Sequence, residues 1–141
     1  MDKNQAVFGW IKTYPGIGRL YFNFGVAQDG NQSFVPNPTE RIVKRDVLGN
    51  ETKHYDFAVT AYRSISTEAG TDENILDYCG VSEFIAWVNE QNKSKNYPDF
   101  GDGCYIENIE CLQNIPAQSG VDGELAKYMI QCRITYEETE N

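Results

Sequence analysis

The chain has 141 residues, of which 40% are hydrophobic, 23% charged and 13% aromatic. This length and composition are typical of one folded domain with its own core, and the aromatic content argues against a disordered chain. Twelve basic and 21 acidic side chains give a formal net charge of −9. Such a charge repels phosphate backbones and anionic membranes, so we expect no charge-driven binding of DNA or of a membrane surface.

The sequence also disfavours a secreted or membrane-spanning protein and a zinc-binding or redox protein. The start of the chain lacks a basic segment followed by an apolar run, and no later apolar run reaches the length of a membrane span. We therefore expect a protein that is made and kept in a cytoplasm. Cys79, Cys104, Cys111 and Cys132 show no two-residue spacing of the kind that zinc knuckles and redox motifs use. We expect them to be reduced and mostly buried thiols.

The first half of the chain predicts one helix and three strands. A helical spacing of apolar residues runs from Asn4 to about Thr13, and alternation over residues 20–26 predicts a strand. The segment from Ala27 to Asn50 is polar and rich in turn residues, so we interpret it as a long excursion with a weak edge strand at Glu40–Val47. Strict alternation from His54 to Arg63 then predicts a half-buried strand.

The second half predicts one long helix and two strands. The helix begins near Thr71, whose hydroxyl is a suitable cap, and ends at about Asn92. Residues Cys104–Gln113 predict a strand whose apolar alternation changes face, which a β-bulge would explain. A glycine-marked turn at Ser119–Gly123 leads into the clearest strand, where residues 126–136 alternate between apolar and polar.

These elements predict an α+β fold in the order α-β-β-β-α-β-β. Short connections between consecutive strands favour antiparallel pairing. We therefore expect one mostly antiparallel mixed sheet of about five strands, with the helices packed on one side. No repeat or change in composition divides the chain, so residues 1–141 are predicted to be a single domain, with residues 137–141 as an acidic frayed tail.

No group of residues predicts catalysis, a cofactor or a metal ion. His54 is the only histidine, and no serine or cysteine stands in a recognised nucleophile motif. Residues 16–19 contain two glycines but lead into a strand, which is not the arrangement of a phosphate-binding loop. Two carboxylate pairs are candidates for glycosidase chemistry, but neither has an aromatic cleft that the sequence reveals. Glu107 and Glu110 would lie on opposite faces of a regular strand, and Asp99 and Asp102 flank a glycine-rich turn. We expect no enzymatic activity and no cofactor.

The residues that stand out are an aromatic ring and cations within the polar excursion. They are Phe34, Arg41, Lys44 and Arg45. Arginine and aromatic residues are enriched at protein interfaces, so these four are the predicted subunit interface. Two interpretations stay open: the segment is a β-hairpin that packs back on its own sheet, or it is an extension that reaches a neighbouring subunit.

From about Tyr55 to Tyr136, four segments follow one another in a recognisable order. They are residues 57–62 (FAVTAY), 85–92 (IAWVNEQN), 97–103 (YPDFGDG) and 126–136 (AKYMIQCRITY). With the helix that Asn74 opens, this order resembles the small tail terminator (tail completion) and minor capsid proteins of long-tailed bacteriophages. The excursion at residues 27–50 has no counterpart in that family pattern, which leaves open whether the chain is the terminator or another small connector.

The resemblance implies a virion structural protein. Its expected partners are further copies of itself in a ring, possibly a hexamer, together with the tail tube protein and the head connector proteins. It would cap the tail tube and take part in head-tail joining, after synthesis in the host bacterial cytoplasm. DNA would pass through the ring without specific binding, and an acidic lining suits that passage. The alternative is a non-viral α+β module that binds a ligand or acts as an adaptor.

Overall fold

The computed structural model describes residues 2–22, 30–37, 41–64, 72–113, 117–122 and 125–139. These residues form two helices and seven strands. In chain order they are α1 (Lys3–Ile11), β1 (Arg19–Phe22), β2 (Asn31–Pro36), β3 (Arg41–Arg45), β4 (Glu51–Ser64), α2 (Asp72–Ser94), β5 (Cys104–Cys111), β6 (Ala117–Asp122) and β7 (Leu125–Glu138). The predicted α+β class is confirmed.

Strands β4 and β7, of 14 residues each, form the centre of the sheet. They are antiparallel and paired over their whole length, from Glu51 opposite Glu138 to Ser64 opposite Leu125. On the other edge of β4, β3 pairs with its first half and β2 with its second half. On the other edge of β7, β6 and β5 pair with its two halves in the same manner. All these pairings are antiparallel, and β1 joins β2 in parallel, so the sheet is mixed and mostly antiparallel as predicted.

The core lies between one face of this sheet and the two helices. The alternation predicted in β4 and β7 holds, because every second residue is buried: Tyr55, Phe57, Val59 and Ala61 in β4, and Ala126, Tyr128, Ile130, Cys132, Ile134 and Tyr136 in β7. Helix α1 buries Val7, Trp10 and Ile11 in the same cluster. The helices also contact each other, since the ring centroids of Trp10 and Trp87 are 4.8 Å apart.

Two strands were missed in the sequence. Residues 31–36 belong to the predicted excursion but form β2, in which Asn31, Gln32, Ser33 and Phe34 are all buried. Residues 119–122 were predicted to be a turn but belong to β6. The sheet therefore has seven described strands rather than about five.

Two further predictions, the β-bulge in β5 and the frayed tail at residues 137–141, have different outcomes. The β-bulge predicted in β5 is confirmed, because Ile106 and Asn108 pair with the consecutive residues Tyr136 and Thr135, which leaves Glu107 as the extra residue. The predicted frayed tail is wrong for Glu137 and Glu138. Both lie in β7, and the Glu138 carboxylate accepts a hydrogen bond from Lys53 Nζ at 2.7 Å.

Three of the four cysteines have described side chains, and all three are free thiols: Cys104, Cys111 and Cys132. Cys111 and Cys132 lie opposite each other on β5 and β7, with their Sγ atoms 3.6 Å apart. The hydrogen bond with Cys111, together with burial, raises the pKa of the Cys132 thiol. At neutral pH Cys132 is therefore a small buried hydrophobe rather than a reactive thiolate.

The position of Phe34 in the core leads to a prediction about stability. Replacing Phe34, which is fully buried, with alanine should lower the free energy of unfolding by about 3–5 kcal/mol, because it leaves a cavity among aromatic rings. The matched control is Val35→Ala, since Val35 is the next residue of β2 but is 39% exposed, and it should cost less than about 1 kcal/mol. Urea unfolding followed by tryptophan fluorescence measures both. Equal losses for the two variants would contradict the placement of Phe34.

Candidate interaction surface

Residues 41–50 form a hairpin strand and its turn, which we call the arm. Strand β3 pairs with residues 51–54 of β4, and a bulge at Val43 interrupts the pairing. The turn is held by the Asp46 carboxylate, which accepts hydrogen bonds from the backbone N–H groups of Leu48 at 2.8 Å and Asn50 at 3.0 Å. Gly49 has a φ of 88°, a conformation that glycine adopts without strain. The arm thus has a defined local structure of its own.

The arm carries apolar side chains that the rest of the subunit does not cover. All five residues of β3 are exposed, and the outer edge of β3 pairs with no other strand in the described part of the chain. Ile42 and Val43 are each 48% exposed, Leu48 is 77% exposed and Val47 is fully exposed. These four are half of the eight large hydrophobic side chains that are exposed among the described residues. Such a grouping on a monomer marks an interaction site more often than chance.

The same arm carries three cations. Arg45 lies 3.2 Å from a carboxylate oxygen of Glu51 in the adjacent strand. Arg41 and Lys44 make no ion pair with any residue that the structure describes, and both are exposed. A neighbouring acidic surface would therefore find two cations that no described residue of the subunit already neutralises.

The structure separates the four residues that the sequence predicted as an interface. Arg41, Lys44 and Arg45 lie together on the arm, but Phe34 lies in the core, where its ring centroid is 5.4 Å from that of Phe57. Phe34 faces inward because it pairs with Val59, whose side chain is on the buried face. Phe34 is therefore removed from the candidate surface. The first interpretation of the excursion, a segment that packs back on its own sheet, holds for residues 31–36 and 41–45, since both strands pair with β4. Contact of the arm with a neighbouring subunit stays a prediction.

A charged row crosses the open face of the sheet next to the arm. Arg133 of β7 makes two hydrogen bonds to the Asp56 carboxylate of β4, at 2.9 and 3.2 Å. His54 lies beside this pair, opposite Arg41, and its Nδ1 is buried without a hydrogen-bond partner among the described residues. Burial first, then the charges of Arg133 and Arg41, lower the pKa of His54 against the opposing effect of Asp56 and Glu110. His54 is therefore neutral near pH 7.

The other face of the arm borders an open cleft of about 430 Å³. Its walls carry two ion pairs, Arg45 with Glu51 and Lys53 with Glu138. The hydrogen bond from Lys53 lowers the pKa of Glu138. Because each cation is paired with an acid of the same cleft, the cleft presents little unbalanced charge to a small ligand. Within the described residues no group of three or more histidine, cysteine or acidic side chains could hold a metal ion.

The neutral state of His54 predicts how stability depends on pH. The pKa of His54 lies below 6.5 in the folded chain and at its ordinary value in the unfolded chain, so the unfolded chain binds the proton more readily. The contribution of His54 to the free energy of unfolding is therefore fully present above about pH 6.5 and is lost as the pH drops through the folded-state pKa. The urea midpoint should decrease between about pH 7.5 and 5.5, and the decrease should be smaller in His54→Gln. A decrease of the same size in the variant would contradict the role of His54.

No family model, no curated protein and no solved structure matches the chain. In the described part of the chain, neither helix is long and apolar enough to cross a bilayer.

Proposed function

We propose that the chain is a virion structural protein of the tail terminator kind, which forms a ring on the end of a tail tube and joins it to the head. The observation that carries the proposal is the arm at the edge of a well-packed sheet, which exposes four apolar side chains and two cations that have no ion pair with a described residue. The order of segments that resembles the tail terminator and minor capsid proteins supports the choice of this kind of assembly.

The apolar side chains of the arm set the strength of the contact. Complete burial of one valine, leucine or isoleucine contributes about 1.5–3 kcal/mol, and three of these four are already partly covered, so together they offer about 4–8 kcal/mol. Association costs about 4–15 kcal/mol in lost translational and rotational freedom. One arm contact is therefore weak in dilute solution. A closed ring, or a tube end that holds several copies together, makes the same contact sufficient.

The charge of the arm also favours its contact with a neighbouring copy. Copies that each carry a net charge of −9 repel one another, and a basic arm placed against an acidic neighbour reduces this repulsion. Each exposed ion pair contributes only about 0–1 kcal/mol, so charge selects the correct contact more than it strengthens it. The remaining acidic surface suits a channel along which DNA passes without adhering.

Electron microscopy of capped tubes tests this proposal. Protein mixed with tail tubes that lack it should form terminal rings, and the combined change Arg41→Glu, Lys44→Glu and Arg45→Glu should abolish them because the arm would then repel its acidic neighbour. The matched control reverses three exposed cations elsewhere, Arg19→Glu, Lys93→Glu and Lys95→Glu, and should leave the rings intact. Circular dichroism should be unchanged in both variants.

Two outcomes would count against the proposal in different ways. Rings that survive the triple change in the arm would remove the arm from the interface. Tubes that never acquire a cap from the unaltered protein would contradict the tail terminator function itself and favour the alternative, an adaptor or ligand-binding module.

A further inference from the structure

We infer that the arm of one copy docks on the β5 side of a second copy, on a surface formed by Tyr105, Glu107, Glu110 and Leu112. We call these four residues the acceptor surface. The inference rests on the proposed function, because it identifies which part of the neighbouring subunit the arm contacts.

The register of the sheet places the arm and the acceptor surface at the same level on opposite edges. Arg41 of β3 is opposite His54 of β4, His54 is opposite Thr135 of β7, and Thr135 is opposite Asn108 of β5. Neighbouring strands are about 4.8 Å apart, so β3 and β5 are separated by about 14 Å across the sheet. Each copy therefore presents the arm on one side and the acceptor surface directly across from it.

The acceptor surface carries exposed carboxylates where the arm carries exposed cations, and both surfaces carry exposed apolar side chains. Tyr105 is 62% exposed and Leu112 is 44% exposed, which makes them the two large exposed hydrophobic side chains on the β5 side of the described structure. Glu107 and Glu110 lie between them and are also exposed. Apolar groups flanked by carboxylates thus match apolar groups flanked by cations.

The distribution of charge selects a head-to-tail contact. Two arms placed together would bring Arg41, Lys44 and Arg45 of both copies into one contact, and two acceptor surfaces would do the same with carboxylates. Only the arm of one copy against the acceptor surface of the next brings opposite charges together. Because these two surfaces lie on opposite edges of the sheet, an edge-to-edge contact leaves each copy with its other surface free for a further copy. A contact of this kind generates a ring when its rotation closes, and an open filament when it does not.

The contact is made by side chains rather than by extension of the sheet. The backbone edge of β5 is already occupied near its centre, because Ile109 N–H donates to Asn92 Oδ1 at 2.9 Å and the Glu107 carbonyl accepts from the Tyr97 hydroxyl at 3.4 Å. Residues around the end of α2 thus protect this edge from strand addition. The side chains of the acceptor surface remain exposed and open to a neighbour.

Zero-length cross-linking with a carbodiimide tests the inference on tubes capped by an equal mixture of ¹⁵N-labelled and unlabelled protein. Lys44 is the only lysine of residues 41–50, and the reagent joins its amine to a carboxylate in contact with the loss of water. Mass spectrometry should find Lys44 joined to Glu107 or Glu110 between labelled and unlabelled copies. In Lys44→Arg the charge is kept but the link should vanish. In the double variant Glu107→Gln, Glu110→Gln, mixed-isotope links from Lys44 should fall at least about fivefold.

Charge exchange gives an independent readout by electron microscopy. Glu107→Lys with Glu110→Lys should abolish caps, and combining this pair with Arg41→Glu, Lys44→Glu and Arg45→Glu should restore them. Caps whose Lys44 is joined to other carboxylates, or that survive the Glu107 and Glu110 changes, would overturn the acceptor surface and leave the proposed function intact. Absence of caps from the unaltered protein would instead contradict the proposed function.

Discussion

Strands β4 and β7 pair residue by residue over 14 positions, and this one register decides which side chains face the helices. A slip by a single residue would turn the buried rings and aliphatic side chains toward the open face and bring Asp56 and Arg133 into the core. The aromatic cluster under α1 and α2 is therefore both the product of the register and its strongest support. The outer edges of the same long strands pair with the four shorter strands: β4 with β2 and β3, and β7 with β5 and β6.

The arm and the acceptor surface both follow from that arrangement. At the end where β4 begins and β7 finishes, β3 adds to one edge and β5 to the other. The two helices bury their apolar side chains against the sheet, while every residue of β3 stays exposed. A sheet that is well packed at its centre thus carries uncovered apolar and charged groups at both sides. This combination is typical of a subunit that completes its burial by assembly.

The elements that could be predicted from the sequence are those whose pattern is local. Alternation in β4 and β7 and the change of face in β5 identified two central strands and a bulge, because each pattern lies within one segment. Strand β2 was missed because its buried residues are largely polar. Gln32 is satisfied by a hydrogen bond from Arg63, 31 positions away, and that partner cannot be inferred from the local sequence. The burial of Phe34 likewise depends on a distant residue, Val59, with which it pairs, so the local sequence predicts an interface residue instead.

The sequence predicts one part of the candidate site, the cations of the arm. Arg41, Lys44 and Arg45 are predicted interface residues because arginine and aromatic residues are enriched at interfaces, and all three lie on the exposed strand β3. The sequence does not predict the acceptor surface that we infer, because the spacing of Glu107 and Glu110 indicates only a carboxylate pair. Their relation to the arm depends on three strand pairings that join residues far apart in the chain. Sheet topology therefore supplies what local pattern does not.

Hydrogen exchange, measured in the free protein and in capped tubes, is the most direct test that the arm is an assembly surface. We expect the amides of residues 41–48 to exchange faster than those at the centre of β4 in the free chain and to be clearly protected in capped tubes, while the centres of β4 and β7 are protected in both states. Arm amides that are as protected in the free chain as the centre of β4, or that exchange equally fast after assembly, would contradict this role of the arm.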